Sequence, residues 1–182
     1  MFNKTVCVIG LGYIGLPTAA LLAINGYNVV GVDLNHHAVE TINQGNIHIV
    51  EPDLDAFVRS AVAAGKLRAS SDPQEGNIFI VCVPTPFHDS VGNPQPNIDY
   101  VLAATRSIAG FVRPGNLVIL ESTSPVGTTE KMAAVLEKAG VDVSQIAIAY
   151  CPERVLPGKI MTELVENDRV VGGLTSEATK RV

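Results

Sequence analysis

The chain has 182 residues, 47% of them hydrophobic and 17% charged, with a formal net charge of −5, a pI near 5.3 and a mean hydropathy of +0.27. That is enough apolar side chain for one domain with a substantial core, and the acidic balance excludes a general affinity for nucleic acid or anionic lipid, because no basic cluster exists to release counterions from phosphates. Three cysteines at wide, irregular spacing (Cys7, Cys82 and Cys151) give no disulfide framework and point to a reducing, cytoplasmic compartment.

The run from Val6 to Val32 carries no charge and is long enough to suggest a membrane or signal segment. Its internal punctuation argues otherwise. Gly10, Gly12, Gly15, Pro17, Gly26 and Gly31 would weaken a spanning helix, but they fall at the turns of a strand, helix, strand unit. A soluble protein without a membrane partner is expected. "TVCVI", Thr5 to Ile9, is a β-branched apolar strand of the kind buried on both faces of a parallel sheet. In "GLGYIG", Gly10 permits the tight turn and Gly12 lets backbone amides approach a diphosphate. Gly15 allows helix to pack on strand, and the helix N-terminus faces the anion. A helix runs from Gly15 to about Asn25, Gly26 stops it, and "NVVGV", Asn28 to Val32, is a second parallel strand closed by Asp33. An acid about 20 residues beyond the glycine turn is where a ribose diol is held. Asp33 would repel a 2′-phosphate, and "LNHHA" after it offers no lysine or arginine, so NAD rather than NADP is expected; spacing alone does not separate NAD from FAD.

Further along, Ala38, Val39 and Ile42 predict a short helix, and Leu54, Phe57, Val58, Ala61 and Val62 share one face of another. "NIFIVCV", Asn77 to Val83, is a buried strand whose exit, "PTPF", falls at the carboxyl edge of the sheet where ligands bind. His88 to Asn97 read as an irregular loop. Ile98, Val101, Leu102, Thr105, Ile108 and Val112 predict a helix, and "LVILES", Leu117 to Ser122, a strand. Thr128 or Thr129 then caps a helix with Met132, Val135, Leu136 and Ala139 inside. "IAIAY", Ile146 to Tyr150, is the last strand. The alternation predicts an α/β fold, a doubly wound parallel sheet of the Rossmann dinucleotide-binding type. The domain is expected to occupy residues 1–174. Residues 175–182 open like a helix capped by Thr175 or Ser176, too short to form alone, and are expected to lead into a central, substrate-binding region the chain does not include. His36, His37, His48 and His88 are scattered, so no metal site is expected.

The strings "GLGYIGLPTAALLA", "HIVEPDL", "VPTPF", "ILESTSPVGTTEKM", "AYCPERVLPGK" and "NDRVVGG" together resemble the UDP-glucose/GDP-mannose dehydrogenase family, in its NAD-binding domain. The resemblance implies oxidation of the C6 hydroxyl of a UDP-sugar to a carboxylate with two NAD, through a cysteine-bound intermediate. It implies contacts to the dinucleotide from Gly10, Leu11, Gly12, Tyr13, Ile14 and Gly15, and to its ribose from Asp33. Pro84 and Thr85 are further cofactor contacts, although Thr85 reads equally well as a turn residue between prolines. Thr123 is implied near the reacting centre, touching the cofactor and orienting a water. Thr129 is implied as another cofactor contact, although capping explains it nearly as well. Glu153 is implied as the carboxylate that activates water or shuttles protons, and Arg154 and Val155 as contacts to the sugar nucleotide. Pro157 and Ala38 stand where enzymes acting on UDP-glucose carry a glutamate and a basic residue, which favours an N-acetylated hexosamine, UDP-N-acetyl-D-mannosamine. The resemblance places the nucleophilic cysteine and a catalytic lysine in the other half of such an enzyme, where a homo-oligomer interface is also implied, so the chain alone is expected to be inactive and Cys151 structural. The alternative is a free-standing dinucleotide-sensing module without catalysis.

Overall fold

The computed structural model describes residues 4–88, 92 and 94–182; positions 89–91 and 93 of the expected loop lie outside the described residues. Seven strands form one sheet in the order β3-β2-β1-β4-β5-β6-β7. β1 (Thr5–Ile9), β2 (Asn28–Val32), β3 (Leu67–Ser70), β4 (Ile78–Val81), β5 (Leu117–Leu120) and β6 (Ala147–Tyr150) run parallel, whereas β7 (Gly172–Gly173) is antiparallel to β6. The helices are α1 (Gly15–Ile24), α2 (His36–Asn43), α3 (Leu54–Ala63), α4 (Asp99–Ile108), α5 (Thr128–Lys138), α6 (Ile160–Glu166) and α7 (Ser176–Arg181). The doubly wound sheet is therefore parallel except at its last edge.

The apolar strands have a layer on each side, as their lack of alternation requires. In β1, Val6 and Val8 turn to one face, where Leu16, Ala19, Ala20, Leu54 and Val58 from α1 and α3 cover them. Cys7 and Ile9 turn to the other, onto Ile108 of α4 and Met132 and Leu136 of α5. Both layers are closed to solvent at their centres: Cys7, Val8, Leu16 and Leu136 are all fully buried.

Among the described residues several features depart from the sequence pattern: α6 and β7 are not anticipated by it, and β3, the start of α5 and α7 also differ from it. β3 pairs with β2 along Val29↔Leu67 to Val32↔Ser70, in a stretch with no β-branched residue. The helix after "TSPVG" is capped by Gly127, at φ 87, with no side-chain cap; the Thr128 hydroxyl instead donates to the Pro125 carbonyl at 2.7 Å and that of Thr129 to Glu130. Gly127 itself holds the cap position in a left-handed conformation that favours glycine, so Thr128 and Thr129 fall inside the first turn instead of ahead of it. Finally, α7 does form, because Ala178, buried to 2%, packs with Leu117, Ala147 and Ala149 and the Thr175 hydroxyl accepts from the Ala178 amide at 3.1 Å. Tertiary packing supplies what two isolated turns lack.

Candidate functional site

The strand ends are in register. Ser70, Val32, Ile9, Val81, Leu120 and Tyr150 form one row across the sheet. The next residue of each inner strand continues the ladder: the amides of Asp33, Gly10, Cys82, Glu121 and Cys151 donate to the carbonyls of Ser70, Val32, Ile9, Val81 and Leu120 at 2.8–3.1 Å. The loops bearing the expected site residues thus leave from one level of the carboxyl edge, with the change of strand order between β1 and β4 at its centre. In open α/β sheets that is where ligands bind.

At this switch point the three glycines differ physically. Gly10 has φ 91, and a Cβ on it would lie 2.7 Å from the Cys82 carbonyl oxygen; a Cβ on Gly15 would lie 1.8 Å from the Gly10 oxygen. These two fix the turn and the approach of α1. A Cβ on Gly12 would meet nothing within 4 Å, so the backbone there faces open space; of the α1 first turn, the Leu16 amide is spent on the Gly12 carbonyl at 3.1 Å and Pro17 has none. Leu11 is fully buried, its side chain lies over Gly31, and its amide donates to Asp33 Oδ2 at 2.8 Å. Its contribution is to lock the turn onto the acid. Asp33 Oδ1 accepts from the Asn35 amide at 2.9 Å. Each oxygen keeps lone-pair capacity for a hydroxyl, which suits a ribose diol. Tyr13 is 49% exposed above the turn, and Ile14 is half-buried at the helix start. The edge fits a dinucleotide.

Across the switch point, the Thr85 hydroxyl donates to the Thr123 carbonyl at 2.8 Å, tying the β4 exit to the β5 exit. Pro84 and Thr123 are exposed beside it. Thr129 lines a cavity of about 220 Å³ with Ser124, Gly127 and Tyr150. Glu153, by contrast, is buried. Arg154 is exposed and its guanidinium donates to the Asp168 carbonyl at 3.2 Å, while Val155 is half-buried beside it. The edge therefore gathers the turn, Asp33, Thr85 and Thr123, with Glu153 set beneath the surface.

Beneath Glu153 lies a polar cluster that the sequence reading missed. Glu121 is 5% exposed and accepts from the Thr18 hydroxyl at 3.1 Å and the Cys82 thiol at 3.0 Å. Burial pushes its carboxyl above the usual range against the pull of Cys82, Arg169 and Thr18. Burial, with the Glu121 charge, holds the Cys82 thiol well up. Burial also raises the Cys151 thiol, opposed by Arg169. A lone acid in "LVILES" was the available signal for Glu121. Glu51 of "HIVEPDL" is a second such acid: its two oxygens accept from the Gly158 and Ile160 amides, each at 2.8 Å. His48, from the same string, has a buried Nδ1 without a hydrogen bond, and burial lowers its pKa against the attraction of Asp33. A cavity of about 400 Å³ lies away from the glycine turn, between α1 and α6, lined by Leu21, Leu22, Tyr27 and Leu164 with Arg169 at its side. Among the described residues no group of three or more metal-ligating side chains occurs, and no helix is long and apolar enough to cross a membrane.

A sheet in this order, with a glycine turn at its switch point and an acid closing the next strand, defines a dinucleotide-binding domain of the Rossmann class. The family model described as "UDP-glucose/GDP-mannose dehydrogenase family, NAD binding domain" matches residues 4–182. The chain belongs to this family, and its cofactor is NAD. It is 53% identical to an NDP-N-acetyl-D-galactosaminuronic acid dehydrogenase of Ralstonia nicotianae, over 98% of this chain and 44% of that protein. It is 54% identical to the UDP-N-acetyl-D-mannosamine dehydrogenase of Yersinia pestis, over 100% of this chain and 44% of that protein. Among solved structures, the UDP-D-ManNAc dehydrogenase of Pyrococcus horikoshii superposes with a TM-score of 0.91 at 41% identity, over 97% of this chain and 43% of that one. The chain spans less than half the length of these relatives.

Proposed function

We propose that this chain is the NAD-binding part of a nucleotide-sugar 6-dehydrogenase that oxidises the C6 hydroxyl of UDP-N-acetyl-D-mannosamine to the carboxylate. Bound NAD supplies a hydride acceptor, two per turnover. The chain's own groups bind and orient. The amides about Gly12, Tyr13 and Ile14 hold the diphosphate, and Asp33 accepts from the adenosine ribose. Pro84, Thr85, Thr123 and Thr129 flank the other end of the dinucleotide. Thr85 spends its proton on the Thr123 carbonyl, which leaves its oxygen to accept and the Thr123 hydroxyl to orient water. Glu153 takes the proton of the attacking water, and Arg154 and Val155 contact the sugar nucleotide. Cys151 is half-buried with its thiol pushed up, which is poor placement for a nucleophile. A cytoplasmic location and a homo-oligomer, formed through the part of the relatives beyond the matched region, belong to the same reading.

The observation that carries the proposal is the pairing of the open backbone at Gly12 with Asp33, whose oxygens each accept one backbone amide and retain room for a hydroxyl. Titration calorimetry with NAD, NADP and FAD tests it. The wild-type chain binds NAD and discriminates against NADP, and Asp33→Ala weakens NAD by about tenfold, a loss on the order of one charged hydrogen bond, and narrows the discrimination. Equal affinity of both proteins for NAD would remove Asp33 from the site, and no binding of NAD by the wild type would sink the reading.

A further inference from the structure

Arg169 stands at none of the positions assigned to cofactor or sugar, yet two buried carboxylates, Glu121 and Glu153, converge on it. Its Nη1 lies 3.2 Å from Glu121 Oε1 and its Nη2 lies 2.5 Å from Glu153 Oε2. The side chains of Glu121 and Glu153 are only 6% and 2% exposed. Nη1 also donates to the Cys151 sulfur at 3.9 Å. Glu153 Oε1 accepts from the Arg154 amide at 2.6 Å, whereas the buried Oε2 has the Arg169 guanidinium as its one polar neighbour given by the structure. The guanidinium charge is what stabilises that oxygen. A carboxylate taken out of water without a counter-charge is strongly unfavourable, and the planar, preorganised fork of a guanidinium suits reaching two carboxylates at once.

The segment is anchored for this purpose. Asn167 Nδ2 donates to the Arg154 carbonyl at 3.3 Å, and the Arg154 guanidinium returns a bond to the Asp168 carbonyl at 3.2 Å. On the far side, Glu121 receives the Thr18 hydroxyl from the first turn of α1, so Thr18, Glu121, Arg169 and Glu153 form one continuous chain from the cofactor helix to the β6 edge.

We propose that Arg169 is a positioning residue: it fixes the direction and the counter-charge of the Glu153 carboxylate and couples that carboxylate, through Glu121, to the helix that opens at the dinucleotide turn. The inference rests on the reading of Glu153 as the proton-handling group, and adds the residue through which it is held.

The test uses the 182-residue chain carrying ¹³C at the glutamate carboxyl carbons, as wild type, R169M and R169K, with E153Q and E121Q to assign the signals. In R169M the Glu153 signal leaves its wild-type position. In R169K, which keeps charge but loses the fork, it moves part of the way. Cys151 gives an independent electrostatic readout: without the guanidinium its thiol rises further, so alkylation by iodoacetamide at fixed pH slows by about threefold or more in R169M, each unit of pKa being worth about tenfold in thiolate. R169K stays within about twofold of wild type. An unmoved Glu153 signal in folded R169M, or in R169K should R169M fail to fold, overturns the inference. The cofactor reading is tested apart from it: if wild type binds no NAD while R169M and R169K still move the Glu153 signal, the cofactor reading falls and the positioning role stands, whereas normal NAD binding with an unmoved signal removes only the role of Arg169.

Discussion

A methyl at Gly15 would be driven into the Gly10 carbonyl oxygen at 1.8 Å, whereas one at Gly12 would enter open space. The same substitution therefore separates two roles within one motif. Gly15→Ala destabilises the domain by about 3 kcal/mol or more, at the upper end of overpacking costs because backbone rather than a flexible side chain must move. Gly12→Ala changes stability by no more than about 0.5 kcal/mol but places a methyl where the proposed site puts the diphosphate, and on that proposal weakens NAD by about tenfold, roughly 1.4 kcal/mol. Urea unfolding and calorimetry on the two variants check this. A Gly12→Ala chain with wild-type affinity would move the diphosphate off that backbone. Leu11 shows that a residue inside a binding motif can serve it indirectly, since its amide is spent on Asp33.

At the scale of elements, local chemistry made the first unit readable. β1, the turn, α1 and β2 occupy Thr5–Ile9, Gly15–Ile24 and Asn28–Val32, as their apolar runs and glycine punctuation require, and the acid closing β2 falls at the edge. β3 was not readable, because "LRAS" contains no β-branched residue and becomes a strand through its pairing with β2. α6 carries Ile160, Met161 and Leu164 at helical spacing, but it spans only two turns behind Pro157 and Gly158. What secures its start is Glu51, 107 and 109 residues earlier in the chain. Glu121 and Arg169 were hidden for the same reason, since no local period announces a partner on another strand. Glu51 therefore makes a long-range contact testable by one atom. Glu51→Gln keeps one acceptor but turns an amide N–H₂ toward the second backbone N–H, leaving a buried donor unpaired at a cost of about 1–3 kcal/mol. Hydrogen exchange at Gly158 and Ile160 accelerates by about tenfold or more, while the amides of β1 and β2 keep their protection. Uniform acceleration across the sheet would instead mark a global loss, and no change would show that the loop is held by other contacts.

Taken whole, the molecule joins its α1 layer to its last parallel strand through a buried carboxyl, and this gives its stability a pH dependence of definite sign. In the unfolded chain Glu121 titrates near 4.5; in the fold, burial raises its pKa above that value. Between the two, the folded state holds a proton the unfolded state has lost, so stability falls as pH rises. The contribution is fully present below about pH 4.5 and is lost as pH rises through the folded pKa, at a slope of at most about 1.4 kcal/mol per pH unit. Carboxyls such as Asp142, lowered by hydrogen bonds from Ser144 and Gln145, act in the opposite direction, so the total curve conceals the effect. Subtracting the unfolding free energy of Glu121→Gln, which retains an acceptor for Thr18, cancels those common contributions. The difference, wild type minus variant, declines from pH 4.5 toward neutrality. A flat difference would mean that the charges of Arg169 and its partners already compensate the buried carboxylate in full. A rising one would mean that Glu121 is held in the fold as a favoured anion, and the chain linking α1 to β6 would then be an ion-pair relay throughout.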